Sequence, residues 1–185
     1  ANSSRDISPS EKQQTVQNTG KEPVELTVGY DAIAIYVHKD NPIESITIEQ
    51  LAAIFSEGGA IDKWSQLGIK MANDEIVRVS RQNNSGTYVF FREHVLAKKD
   101  FKLGSRDMSG SKDVVELVAR TPGAIGYSGM GYATSEVKML RVAKKVGDTS
   151  YAPTVENSLN NTYPIARPLF MYTLGDPSGA VKLYM

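Results

Sequence analysis

In the stretch "SRQNNSGTYVFFREHVL", Ser80 to Leu96, Arg81 stands four residues ahead of Ser85, Gly86 and Thr87, which run directly into an apolar segment. If "IVRVS" is a strand and Ser85 begins a helix, the amides of Gly86, Thr87 and Tyr88 point out of the helix end without intrahelical acceptors, with the positive end of the dipole behind them. Ser85 and Thr87 add hydroxyl donors, Gly86 lets backbone approach without a Cβ, and Arg81 offers a two-pronged donor to an oxyanion. A single tetrahedral oxyanion would fill this donor set. The same residues also read as an ordinary capping serine beside a solvated loop arginine. A nucleotide is a poor fit, because the glycine spacing and the Lys-Ser/Thr pair of a P-loop are missing. Ser85 as a nucleophile would need a base next to it, and no sequence signal supplies one.

The elements that must position these residues alternate between helix and strand, which implies an α/β architecture. "SPSEKQQTVQNTG" reads as a short polar helix with Ser8 as N-cap, Pro9 as first residue, Glu11 closing a capping box and Gly20 as stop. Two strands are expected next, Val24 to Val28 and Ala32 to Val37, the second apolar on both faces and so central in a sheet. Thr47 and Gln50 bracket another capping box ahead of "IEQLAAIF". Trp64 is expected to lie as a lid on apolar surface. "EIVRVS" feeds the helix that starts at Ser85, and Tyr88, Phe91 and Val95 share its inner face. A helix over Lys112–Arg120, a buried strand in "TPGAIGYSGMGYA", a strand "VKMLRV" and a late strand "PLFMYTL" complete the series. The last segment, "DPSGAVKLYM", has an N-cap candidate in Asp176 or Ser178.

Lys+Arg and Asp+Glu number 21 each, so the chain is neutral overall, and no basic stripe recommends nucleic acid or an anionic membrane as partner. Cysteine is absent, which excludes disulfides and thiolate metal sites. His38 and His94 are the only histidines and lack ligand spacing, so no metal site is expected. Asp31, Glu49, Glu57 and Asp62 form no acid/base pair that the sequence can fix, so neither catalysis nor a cofactor is expected.

With these residues in hand, the chain resembles the phosphate-binding proteins of bacterial phosphate ABC importers, the PstS family. The likeness rests on Arg-x-x-x-Ser-Gly-Thr before an aromatic-rich helix, and on "VGYDAIAIYVHKDNPI", "SITIEQLAAIFSEG" with its Trp loop, "TPGAIGYSGMGYA" and "YPIARPLFMYT" in the family's order. It implies a two-lobed type II periplasmic binding protein fold, with residues 1–38 a partial first lobe, 39–160 a near-complete second lobe and 161–185 a truncated return to the first. It implies capture of inorganic phosphate outside the cytoplasm and hand-over to a membrane permease. Carried over residue by residue, Arg81, Ser85, Gly86 and Thr87 match the second-lobe ligands, and Ser4 and Arg5 match the first-lobe loop. Two positions depart from the pattern of some members, Asn83 and Arg5, where those members carry aspartates. Since a carboxylate acceptor pairs only with a protonated oxyanion, sulfate, molybdate and tungstate stay open as ligands, as does a phosphate-ester hydrolase using Ser85. The abrupt ends suggest a fragment, with a weakened site and with self-association through an exposed sheet edge.

Overall fold

The computed structural model describes residues 1–184. Its elements in chain order are β1 (Asn2–Ser3), α1 (Pro9–Thr19), β2 (Pro23–His38), β3 (Ser45–Thr47), α2 (Ile48–Phe55), β4 (Val77–Arg81), α3 (Gly86–His94), β5 (Arg106–Met108), α4 (Ser111–Ala119), β6 (Ala124–Gly129), β7 (Val137–Met139), β8 (Arg141–Ala143), α5 (Val155–Leu159), β9 (Ala166–Leu174) and α6 (Gly179–Tyr184). They fall into two compact units: Ala1–Tyr30 with the segment from Arg167 onward, and Asp31–Ala166. These limits differ from the lobe limits expected at 38/39 and 160/161. The inner half of β2 packs with the larger unit, where Ala32 to Val37 are all fully buried.

In the larger unit, β2 runs antiparallel to β6 and β7, while β4 lies parallel to both β6 and β5. The parallel pairing has a consequence for function. It brings the carboxyl ends of β4 and β5 to one edge, where the helices that follow them, α3 and α4, both begin. Burial of both sheet faces explains the continuous apolar runs in β2 and β6. The core beneath α2 and α3 is aromatic: Phe91 stacks on Tyr127 at 3.9 Å between ring centres, and Phe55 meets Phe91 edge-on at 5.3 Å.

Several expectations need correction. The two strands read in "VELTVGYDAIAIYVH" are one strand, β2, which continues through Gly29 and Tyr30. "VKMLRV" is two strands instead of one. Leu140 is fully buried and its amide donates to Ile35, whereas Arg141 turns to Glu44, so β7 stays beside β2 and β8 pairs in parallel with β3. Trp64 does pack on the apolar core, but more deeply than a lid: it is fully buried in a short 3₁₀ turn, with Nε1 donating to Gly123 O at 3.1 Å. Both capping boxes form as expected, at Ser8/Glu11 and Thr47/Gln50.

The smaller unit pairs β1 antiparallel with β9, and Gly175 N–H donates to Glu22 O. Its helix α1 buries no residue, so local contacts must hold it. Arg5 forks onto Glu11 at 2.8 and 2.9 Å, and Ser8 donates its backbone N–H to the same carboxylate at 2.9 Å. The Arg5 hydrogen bonds first, then those from Ser8, hold the Glu11 carboxyl well below the ordinary carboxylate range. A depressed carboxyl lends stability above its unfolded value and loses it as pH falls. Protection of the α1 amides against hydrogen exchange, corrected for intrinsic rates, is therefore expected to drop between about pH 5 and pH 2. Glu11→Gln should flatten that dependence; equal slopes in the two proteins would contradict it.

Candidate functional site

Arg81 is the last residue of β4, and the core fixes its backbone. Its amide donates to Tyr127 Oη at 3.4 Å, and the preceding Ser80 shares a 2.7 Å hydroxyl bond with the same phenol. Burial pushes the Tyr127 phenol far above its ordinary value, so it remains a neutral partner. The chain then turns: Gln82 N–H donates to Met108 O at 3.0 Å, and Ser85 N–H returns to Gln82 O at 3.0 Å. This turn delivers Ser85 to the start of α3 as its N-cap.

Ser85 does the capping that its residue type suggests, with an extended backbone and a side chain that accepts from the amide of Thr87 at 3.2 Å. The Thr87 amide is therefore engaged and does not point outward as expected. The amides of Gly86 and Tyr88 meet no acceptor among the described residues, and Thr87 itself is buried. The helix opening thus keeps two bare amides and the Ser85 O–H.

The Arg81 guanidinium reaches across to the start of α4. Nη1 donates to Ser111 Oγ at 2.8 Å and Nη2 to Ser109 O at 2.9 Å. Each Nη carries two N–H groups, so one on each remains, and the buried Nε meets no acceptor among the described residues. A cation held on one side with donors left over can bind an anion without unfolding anything around it. Ser109, Ser111 and Tyr127 were not legible as site residues. The signal available for the first two was Gly110 followed by Asp113, a weak cap signature, and the helix was expected to start after Ser111.

Asn83 and Asn84 are exposed in the same turn and, with Gln82, Tyr88 and Asp107, line a hollow of about 370 Å³. Tyr88 stacks on Phe101 at 4.4 Å, so its ring is part of the packing and its phenol is raised above the ordinary value by burial. Ser4 and Arg5 belong to the smaller unit. Ser4 is half-buried, and Arg5 is engaged with Glu11 and with Asp6 O. His38 and His94 are far apart in role as well as in sequence. His38 accepts from the Asp40 amide, and His94 stacks on Phe90.

Comparison with known proteins adds kinship to this geometry. The family described as PBP superfamily domain matches residues 1–185. The phosphate-binding protein PstS of Pseudomonas aeruginosa is 39% identical over 183 residues, covering 95% of this chain and 57% of that protein. Protein SphX of Synechococcus elongatus is 35% identical over 181 residues, covering 93% of this chain and 52% of that protein. The chain spans little more than half the length of these curated relatives. Among solved structures, a candidate phosphate ABC transporter substrate-binding protein with bound phosphate from Clostridium perfringens superposes with a TM-score of 0.79 at 30% identity, over 100% of this chain and 69% of that one. An ABC-type phosphate transport receptor from Vibrio cholerae gives a TM-score of 0.76 at 26% identity, over 100% of this chain and 70% of that one.

Proposed function

The chain belongs to the PBP superfamily domain family, and on that premise we propose that it captures inorganic phosphate outside the cytoplasm for an ABC importer. The observation that carries the reading is the Arg81 guanidinium, anchored on one side and with one N–H on each terminal nitrogen left over, one turn of chain before the bare amides of α3. A dianion meeting such donors gains charge-assisted hydrogen bonds, the helix dipole adds to the attraction, and no bond in the protein must break first. Arg81, Ser85, Gly86 and Thr87 are the proposed contacts of the larger unit. Thr87 would act through its hydroxyl, since its amide already serves Ser85. Ser4 and Arg5 are proposed as anion contacts within the smaller unit taken by itself, Arg5 while shared with Glu11.

The reading contains no chemical step. Its supports are the names of the relatives, which describe binding and transport, and the use of the Ser85 oxygen as a cap acceptor. The partner that follows is the permease of the importer. Isothermal titration calorimetry with inorganic phosphate tests the reading. Saturable binding is expected, and turnover of a phosphate ester abolished by Ser85→Ala would replace the reading with hydrolysis.

Selectivity is proposed to depend on Asn83. Its side-chain amide can turn either a donor or an acceptor to an anion, so it repels neither sulfate nor hydrogen phosphate. Asn83→Asp places a carboxylate there that only a protonated oxyanion can satisfy. The ratio of sulfate Kd to phosphate Kd is expected to rise about tenfold or more on like-charge repulsion. An unchanged ratio in competition titrations would mean that position 83 does not face the anion.

A further inference from the structure

The turn Ser109–Gly110–Ser111 takes two of Arg81's N–H groups, and it is itself held from two directions. The Asp113 carboxylate accepts from Ser109 Oγ at 3.0 Å and from Gly110 N–H at 2.9 Å, and Ser128 Oγ, from buried β6, donates to Ser111 O at 3.3 Å. The turn is therefore tied both to its own helix and to the sheet. An arginine has four rotatable bonds, and ordering such a side chain only when ligand arrives costs affinity. Here the ordering is already done in the free protein. Resting on the reading of Arg81 as an anion ligand, we propose that Ser111 and the Ser109 carbonyl are positioning residues: they fix the Arg81 guanidinium in the orientation that phosphate uses.

Ser111 is suited to this because its hydroxyl is a neutral acceptor. A carboxylate in that place would bind the guanidinium more tightly but would cancel its charge toward an incoming anion. The serine orients the cation and leaves its charge available. Because Ser111 is also the first residue of α4 and only half-buried, removing its hydroxyl should leave the fold standing.

The test has two readouts. In the anion-free protein, ¹⁵N relaxation of the Arg81 guanidinium should show an ordered group that becomes mobile in Ser111→Ala and stays ordered in Ser111→Thr. In phosphate titrations, Ser111→Ala should raise Kd about tenfold, the usual effect of one charge-assisted hydrogen bond. Ser111→Thr should restore most of it. In an Arg81→Ala background, Ser111→Ala should have no further effect, since it acts only through the arginine. An equal loss in both backgrounds, or an Arg81 guanidinium that is as ordered in Ser111→Ala as in the parent, overturns the proposal. If Arg81→Ala weakens phosphate binding and Ser111→Ala does not, the positioning role alone fails. If Arg81→Ala leaves the Kd unchanged, the phosphate site itself is wrong and the positioning role falls with it.

Discussion

Arg81→Ala is expected to weaken phosphate binding by about a hundredfold or more, the scale for removing one partner of a desolvated, hydrogen-bonded charge pair. The reasoning is local. The Arg81 guanidinium brings a full charge to this edge of the sheet, whereas the amides of Gly86 and Tyr88 contribute as neutral dipoles. Arg81→Lys should recover part of the affinity, because an ammonium keeps the charge but cannot bond Ser111, Ser109 and an anion from one rigid plane. Calorimetric titration of the three proteins at one fixed salt concentration is the measurement, with salt held constant because screening acts on the same contacts. Equal affinity in the alanine variant would remove the ground for assigning phosphate to this site.

Trp64→Ala is expected to lower the stability of the larger unit by about 3–5 kcal/mol, the range for truncating a buried large aromatic side chain. Trp64 has no exposed surface, its Nε1 donates to Gly123 O, and its own amide donates to Asp74 O. Truncation would leave a cavity and remove one of the two donors of the buried Gly123 carbonyl, which keeps the Val77 amide at 2.9 Å. Gly123 has no slack to close over it, since a Cβ at that position would meet Glu75 O at 2.8 Å. Chemical denaturation followed by far-ultraviolet circular dichroism gives the difference. A loss under about 1 kcal/mol, the scale of most substitutions at the surface, would mean that the Trp64 side chain adds nothing to the core beneath its loop.

The two expected effects thus depend on residues of different legibility. The N-cap at Ser85 could be read directly because capping is a contact between neighbours in sequence, and the same is true of Ser8 with Glu11 and Thr47 with Gln50. The depth at which Trp64 is buried is not readable in this way, because its partners, Gly123 and Asp74, are brought to it by the fold. The single strand β2 was split in two because Gly29 and Tyr30 break the apolar pattern, whereas strand continuity is decided by backbone pairing and not by side-chain pattern. "VKMLRV" failed for the opposite reason: its pattern is continuous, but Leu140 enters the core and hands the chain to a second sheet.

Residue types and short spacings alone determined the α/β class, the helix that opens at Ser85 and the presence of an arginine on the turn before it. Those features arise within a few bonds of chain, where local hydrogen bonding and periodicity are sufficient. Tertiary structure decided which way Arg81 points and what holds it. The parallel pairing of β4 with β5 sets the starts of α3 and α4 on one edge, and only then do Ser109 and Ser111 come within hydrogen-bond reach of a guanidinium 28 and 30 positions earlier in the chain.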